Sequence, residues 1–151
     1  MKAVIQRVLS SSVEVEGEIV GSCNQGYMIL FGAAEGDIDE DALLLAKKVA
    51  ALRIFSDSDD KMNLSILDIE GEILAISQFT LLAETKKGNR PSFINAMKPV
   101  EANRLYELFC DALAEQGVKK VDKGVFGADM KVSLVNDGPV TIILDTEVWR
   151  K

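Results

Sequence analysis

The sequence of 151 residues contains no histidine, the side chain on which most hydrolytic and metal sites depend. Without histidine there can be no histidine-based catalytic triad, and the common zinc and copper sites lose their usual ligand. The two cysteines, Cys23 and Cys110, form no CxxC pair, which argues against a disulfide framework or a cysteine zinc site. We therefore expect no metal and no cofactor. Any chemistry must use backbone groups, hydroxyls or carboxylates.

Basic residues are also scarce. There are 17 Lys and Arg against 24 Asp and Glu, which gives a net charge of −7 at pH 7. Broad nucleic-acid binding depends on a basic surface that neutralises phosphates. DNA is therefore not an expected partner, although a local basic contact with RNA stays open.

Long apolar runs are missing as well. The most apolar helix-like stretch, Ala42–Leu52, is interrupted by Lys47 and Lys48, and the first residues after Met1 contain no signal-peptide core. The composition, 48% hydrophobic and 27% charged, is that of an ordinary globular protein. These features predict a soluble, cytoplasmic protein with no membrane partner.

The patterns that are present predict a single domain over residues 1–151 with a mixed α/β fold. We expect about eight strands in barrel-like layers of sheet, covered by two main helices. Apolar or alternating runs bounded by turn residues predict early strands at Val4–Leu9, Ser12–Val15, Ile19–Ser22 and Gly26–Gly32. A later hairpin is predicted from Ile66–Ile69 and Ile73–Leu82, across Glu70-Gly71.

Apolar side chains at helical spacing predict the two helices. The first surrounds Ala42–Leu52 and has Asp37 or Asp39 as its possible N-cap. The second opens at Pro99 and closes at Gly117, because proline suits the first turn of a helix and glycine suits the residue after its end.

The segment Asn136–Thr141 lies between two strongly predicted strands, Lys131–Val135 and Val140–Asp145. We predict a rigid hairpin turn here, with Pro139 fixing φ where the second strand starts. A cis bond between Gly138 and Pro139 would cost only about 0.5–1 kcal/mol over trans. Such a turn would present backbone carbonyls in a fixed direction.

The strand end Ser77-Gln78-Phe79-Thr80 is a candidate site rim, because several hydrogen-bonding side chains precede a basic loop. The alternative is an ordinary strand end that becomes polar as it meets solvent. Thr80 could act as a nucleophile only if a neighbour took its proton, and no such base is identifiable from spacing. Backbone N–H groups aimed at an oxyanion are a simpler role, worth about 3 kcal/mol for each donor.

Three further features carry two interpretations each. Lys86, Lys87 and Arg90 form the densest basic patch, which is either a solvated loop or a phosphate contact beside the site. The small residues of Phe126–Met130 allow either close approach of a ligand or an ordinary turn. Arg7 lies in an otherwise apolar strand, where it is either buried with a partner or at the surface, and we expect it at the surface.

Five segments, read in order over essentially the whole chain, resemble the D-aminoacyl-tRNA deacylases of the bacterial and eukaryotic type. They are Ala3–Val8, Ser77–Leu81, Gly88–Phe93, Gly124–Met130 and Asn136–Thr141. The Ser-Gln-Phe-Thr and Asn-x-Gly-Pro motifs are specific in combination, although either alone would be weak. No motif position departs from the family pattern.

The resemblance implies a homodimer with active sites at the subunit interface. The Gly138-Pro139 pair of one subunit would enter the site of the other and exclude an L side chain, and Arg7 would hold this pair in place. The reaction would be hydrolysis of the ester between a D-amino acid, or mischarged glycine, and the terminal adenosine of tRNA.

The family likeness also implies a role for each remaining candidate. Ser77, Gln78, Phe79 and Thr80 would bind the adenosine–ester junction, and the N–H groups of Phe79 and Thr80 would stabilise the oxyanion. The supporting residues would be Phe126, Gly127, Ala128, Met130 and Asn136. The cations meeting the acceptor stem would be Lys86, Lys87 and Arg90.

Two questions stay open at this point. Thr80 could attack the ester directly, or the ribose hydroxyl of the substrate could activate a water, and the lack of histidine favours the water. Two other functions also remain: a non-catalytic RNA-binding module of the same fold, and a hydrolase of free D-aminoacyl esters with a threonine nucleophile.

Overall fold

The first strand organises the sheet, because it pairs with three others. The computed structural model describes residues 1–150. Its strands are β1 (Lys2–Val15), β2 (Glu18–Cys23), β3 (Gly26–Gly32), β4 (Phe55–Ser56), β5 (Met62–Leu64), β6 (Glu72–Ser77), β7 (Lys120–Lys123) and β8 (Lys131–Asp145). Its helices are α1 (Asp39–Ala51) and α2 (Pro99–Glu115), with short 3₁₀ turns at Phe79–Leu82 and Thr146–Trp149.

One six-stranded sheet contains all strands except the β4–β5 pair. Strand β1 is antiparallel to β2 and β3 along one edge and to β8 along the other. Strand β6 is parallel to β3 and to β7. The sheet curls until β2 approaches β7, where the Ser22 N–H donates to the Asp122 carboxylate at 2.9 Å. The result is a nearly closed barrel.

The two faces of the curled sheet bury separate apolar clusters, because successive side chains of a strand point to opposite faces. One cluster lies between the sheet and both helices and includes Ile5, Ile29, Phe31, Leu45, Val49, Leu105 and Phe109. The other lies inside the curl and contains Val8, Val13, Cys23, Met28, Leu74 and Ile76. None of the helices within residues 1–150 is long and apolar enough to cross a bilayer.

The predicted fold class is confirmed, and so is the start of α2 at Pro99. The predicted N-cap of α1 is wrong, because the capping residue is Ile38. The Asp41 carboxylate accepts from the Ile38 N–H at 2.9 Å. The Asp37 carboxylate instead accepts from the Ala34 N–H in the preceding turn, at 2.7 Å.

The predicted hairpin across Glu70-Gly71 is also wrong. Residues 66–70 form turns, and Ile66 is buried there although it belongs to no strand. The Gly71 N–H donates to the Ile66 carbonyl at 2.9 Å, which closes the turn. Strand β6 then ends at Ser77 rather than at Leu82, because the chain turns into the 3₁₀ segment that follows.

The predicted hairpin at Asn136–Thr141 is wrong, because the chain does not reverse there. Strand β8 runs on through this segment, and both of its halves pair with β1. Gln6 faces Thr141 and Val8 faces Asn136, so four residues of β8 lie opposite a single residue of β1. We call residues 137–140 the Gly-Pro bulge. It interrupts a strand without reversing the direction of the chain.

Candidate active site

A cavity of about 640 Å³ lies where the parallel strands β3 and β6 end. In sheets with parallel strands, ligands bind beyond the carboxyl ends of the strands. The polypeptide that leaves β7 forms a third side. The lining residues are Gly32, Ala33, Ile76, Ser77, Gln78, Phe79, Phe93, Ala96, Met97, Lys98, Pro99, Ala102, Phe126, Gly127, Ala128, Asp129, Met130 and Val132.

The Ser77–Thr80 segment is fixed mainly by its backbone. The Gln78 N–H donates to the Phe31 carbonyl at 2.7 Å, which ties the end of β6 to β3. The chain then enters the 3₁₀ turn, whose first N–H groups belong to Phe79 and Thr80. The first N–H groups of a helical turn have no acceptor within that turn, so the turn itself does not use these two.

Gly32 allows the 3₁₀ turn to lie this close to β3. A Cβ at this position would come within 2.6 Å of Leu82 Cδ2, 3.1 Å of the Gln78 carbonyl oxygen and 3.2 Å of Leu81 Cβ. These distances are shorter than ordinary van der Waals contacts. The glycine therefore sets the position of the predicted catalytic segment.

The aromatic ring of Phe79 stands at the mouth of the cavity, and about half of its surface is exposed. It packs edge-on against Phe93, with ring centroids 5.1 Å apart. Phe93 follows a loop that is closed by two backbone hydrogen bonds between Glu84 and Ser92, of 2.7 and 2.9 Å. The basic residues of this loop, Lys86, Lys87 and Arg90, are all exposed.

The opposite wall consists of Phe126, Gly127, Ala128 and Met130, which the resemblance implied as supporting residues. Phe126 packs at 6.4 Å from the ring of Tyr106. Three of the five segments that carry the resemblance therefore meet at one cavity: Ser77–Leu81, Gly88–Phe93 and Gly124–Met130. Thr80 is not among the lining residues.

Ionisable groups behind the cavity are held in their neutral forms. The Tyr106 hydroxyl donates to the Ala75 carbonyl at 2.6 Å, and burial raises the pKa of Tyr106 above its usual value. Burial likewise raises the pKa of Cys110 to about 12. A tyrosine or cysteine that stays protonated does not serve as a general base near neutral pH.

Lys98 and Asp129 are the charged residues of the lining. Asp129 is exposed and pairs with Lys131 at 3.0 Å. Sequence reasoning missed Lys98, Phe93 and Gly32. Lys98 directly precedes Pro99, so the predicted start of α2 was the available signal for it. Phe93 closes the resembling segment Gly88–Phe93, and Gly32 closes the predicted strand Gly26–Gly32, so these two were named without a role at the site.

The expected surface position of Arg7 is wrong, since only 9% of the residue is exposed. Its Nε donates to the Asp137 carbonyl at 3.0 Å, and its Nη1 donates to the Ile54 carbonyl at 2.6 Å. These carbonyls supply the partners that a buried guanidinium requires. Arg7 thus contacts the Gly-Pro bulge, in which the Gly138-Pro139 peptide bond is cis.

The Gly-Pro bulge is not part of the cavity wall. Neither Gly138 nor Pro139 is among the lining residues, although Val132, earlier in the same strand β8, is. Gly138 and Pro139 therefore do not line the cavity of their own subunit.

The fold of this chain is similar to that of solved structures. One such structure, described as "c-Myc DNA Unwinding Element Binding Protein", is 39% identical and has a TM-score of 0.90, covering 96% of this chain and 98% of that chain. Another, described as a structural analysis of a probable eukaryotic D-amino acid tRNA deacylase, is 18% identical with a TM-score of 0.80 and covers 95% and 97%.

Residues 4–145 match the family model of D-Tyr-tRNA(Tyr) deacylase. The chain belongs to this family, which confirms the resemblance seen in the sequence. It is accordingly a hydrolase that acts on the ester of D-aminoacyl-tRNA.

Proposed function

We propose that this deacylase works in the cytoplasm as a homodimer, and that Gly138 and Pro139 of each subunit enter the cavity of the partner. The observation that carries this proposal is the position of the bulge. Gly138 and Pro139 are exposed, the Asp137 carbonyl beside them is held from beneath by Arg7, and neither Gly138 nor Pro139 lines the cavity of its own subunit. A firmly held motif that takes no part in its own cavity suits a site completed by a second subunit.

Selection would depend on collision with fixed backbone rather than on attraction. Glycine and D-residues would fit beside the bulge, whereas an L side chain would meet it, which makes mischarged glycyl-tRNA a second substrate. A steric penalty of about 4 kcal/mol gives roughly thousandfold rejection of the L-substrate. Glycine has no side chain that could collide with the bulge, so the bulge cannot reject glycyl-tRNA.

The chemistry would be attack of water on the ester carbonyl. The bond from that carbon to the ribose oxygen breaks, the ribose oxygen takes a proton, and the products are the free amino acid and tRNA. The N–H groups of Phe79 and Thr80 would donate to the oxyanion, each contributing about 3 kcal/mol. Phe79 would stack on the terminal adenine, because any base can stack on an aromatic side chain.

The proton would be handled by the substrate's vicinal ribose hydroxyl rather than by a side chain. The lining offers no buried base, and the Thr80 hydroxyl is engaged by the Gln78 amide. Replacing the terminal adenosine with 2′-deoxyadenosine should therefore abolish most of the deacylation. Unimpaired cleavage of the deoxy substrate would contradict this role.

The exposed Lys86, Lys87 and Arg90 would meet phosphates of the acceptor stem. Loss of phosphate contacts lowers both affinity and its dependence on salt. We expect the triple alanine variant to bind tRNA more weakly and with a flatter salt slope, with duplex DNA of equal length as the control ligand. An unchanged slope would exclude the patch.

The deciding assay compares D-Tyr-, L-Tyr- and glycyl-tRNA built on one tRNA body. We expect the D- and glycyl-forms to be hydrolysed and the L-form to persist. Protection of all three without release of amino acid would indicate a binding module instead. Hydrolysis of free D-tyrosyl esters at the same rate, with a trappable adduct, would indicate a threonine-nucleophile esterase.

The shared site can be tested with a mixed dimer of two different defective subunits. Ala128→Trp fills the cavity, and Gly138→Ala disturbs the bulge, because a Cβ there would meet Val140 Cγ2 at 2.9 Å and Arg7 Nη2 at 3.1 Å. If each bulge serves the partner, one site of the mixed dimer has both defects and the other has none. We expect about half of the wild-type activity with normal D/L selectivity. Selectivity like that of Gly138→Ala would place both elements in one subunit.

A further inference from the structure

The Gly-Pro bulge is bracketed by two pairs of residues at which β8 returns to regular pairing with β1. Gln6 faces Thr141 on one side, and Val8 faces Asn136 on the other. Between them Val140 is buried in the core, but Gly138 and Pro139 are exposed. Packing at Val140 alone does not fix the two exposed residues, so further contacts must hold the bulge if its backbone is to reject L-substrates.

Three side chains form a connected hydrogen-bond network across this bracket. The Asn136 amide nitrogen donates to Gln6 Oε1 at 2.6 Å, and the Thr141 hydroxyl donates to the same oxygen. The Val140 N–H donates to Asn136 Oδ1 at 3.2 Å. We call Gln6, Asn136 and Thr141 the amide clamp.

The direction of each bond in the amide clamp is fixed by chemistry. A backbone N–H can only donate, so the Val140 N–H requires the oxygen of Asn136 on its side. The Asn136 nitrogen then faces Gln6, whose oxygen must accept. Gln6 thereby joins the residue before the bulge to the residue after it, through one acceptor atom.

The amide clamp and Arg7 hold the bulge from two directions. Gln6 and Arg7 are consecutive in β1, and successive side chains of a strand point to opposite faces of its sheet. Arg7 reaches the Asp137 carbonyl from the buried face. Gln6, which is half-buried, ties the two flanks together on the other face.

From this geometry we infer that Gln6 and Thr141 are positioning residues for stereochemical selection. They touch no reacting atom, and they act by preventing the bulge from yielding to an L side chain. The inference rests on the proposed function, because it needs Gly138-Pro139 to be the element that rejects L-substrates.

The test is the ratio of kcat/KM for D-Tyr-tRNA to that for L-Tyr-tRNA. Gln6→Leu removes the shared acceptor, and the ratio should fall about tenfold or more, as expected for the loss of two hydrogen bonds. Gln6→Glu keeps an acceptor at the same reach, and its ratio should stay within about threefold of wild type. Thr141→Val removes one of the two hydrogen bonds, so its ratio should lie between those of Gln6→Leu and Gln6→Glu. It serves as the test variant if Gln6→Leu fails to fold.

Gln116→Leu is the matched control, an exposed glutamine at the far end of α2 whose ratio should not change. A wild-type ratio in both Gln6→Leu and Thr141→Val, even with a lower Tm, would overturn the inference. An equal fall in Gln6→Leu and Gln6→Glu would also overturn it, because the acceptor oxygen would then not be what matters. Gly138→Ala separates the two proposals. If the D/L ratio of Gly138→Ala is unchanged, the proposed function itself is wrong. If that ratio changes while the ratio of Gln6→Leu does not, only the role of the amide clamp is wrong.

Discussion

The cavity and the Gly-Pro bulge are built in opposite ways. The Ser77–Thr80 segment at the cavity is positioned by backbone contacts, through the Gln78 N–H bond to Phe31 and the close approach of Gly32. The bulge is positioned by side chains, with Arg7 buried beneath it and the amide clamp on its flanks. Side-chain substitutions should therefore affect selection at the bulge far more than chemistry at the cavity.

The difference matches the roles proposed for the two regions. Backbone N–H groups can stabilise an oxyanion without any reactive side chain, so the proposed chemistry needs a turn in the right place rather than an acid or base. Rejection of the wrong enantiomer depends on atoms that do not yield. An exposed strand interruption cannot provide such atoms unless longer side chains brace it.

The largest effect is expected from Arg7→Lys. Lysine keeps the charge but lacks the planar fork that reaches the carbonyls of Ile54 and Asp137 together. We expect the free energy of unfolding to fall by about 2–3 kcal/mol, because one carbonyl partner is lost in a buried setting. The D/L ratio should fall about a hundredfold, since the bulge loses its support from below.

Thermal unfolding and paired deacylation assays measure both effects of Arg7→Lys. Arg53→Lys provides the matched control, because Arg53 is exposed and donates to the Asn63 carbonyl far from the bulge in sequence. A normal D/L ratio in a destabilised Arg7→Lys protein would show that Arg7 supports the fold and not selection.

Gly32→Ala tests the opposite region and should have the next largest effect. The added methyl group would push the 3₁₀ turn away from β3, at a cost of about 1–3 kcal/mol in overpacking. We expect kcat for D-Tyr-tRNA to fall about tenfold or more while the D/L ratio holds, because the bulge is untouched.

The control for Gly32→Ala is Gly71→Ala, at the other end of β6. Its Cβ would also be crowded, at 2.7 Å from Ile66 Cγ1 and 3.2 Å from the Gln25 carbonyl oxygen. It should lower Tm to a similar degree and leave kcat unchanged. Equal losses of kcat in both variants would mean that Gly32 matters only for stability.

Local patterns predicted the elements that local forces determine. Helical spacing and Pro99 gave the two helices, and the glycine-bounded run Gly26–Gly32 gave β3, which the structure confirms. The prediction of a hairpin at Asn136–Thr141 was wrong because long-range pairing decides the structure there. The Gly-Pro sequence favours a turn locally, but both flanks pair with β1, 130 residues away, and this pairing keeps the strand continuous.

The same limit applies to the site. Arg7 is buried because carbonyls 47 and 130 residues away accept its hydrogen bonds, and no local pattern contains that information. The segments around Ser77 and Phe126 were found as separate candidates, and the family resemblance joined them. Their meeting at one cavity depends on parallel β3, β6 and β7 ending at the same edge.

Phe79→Ala should have a moderate effect that falls on binding. The ring loses its edge contact with Phe93 and its face for the terminal adenine, and stacking is worth about 1–3 kcal/mol per base. We expect KM to rise about tenfold, with kcat and the D/L ratio changed little. Phe79→Tyr keeps the aromatic face and should restore KM, whereas a fall confined to kcat would place the ring in the chemical step.

Thr80→Ala is the smallest effect and the most direct attempt to break the comparison. If the cavity works through its backbone, removal of this hydroxyl takes away only a partner of the Gln78 amide. Single-turnover deacylation of D-Tyr-tRNA should then stay within about threefold of wild type, compared with losses of about 10⁴-fold or more when a true nucleophile is removed. Thr80→Ser, which keeps a hydroxyl, separates chemistry from packing. Full activity in Thr80→Ser together with none in Thr80→Ala would make Thr80 the attacking group. The cavity would then depend on a side chain for its chemistry, just as the bulge depends on side chains for its position.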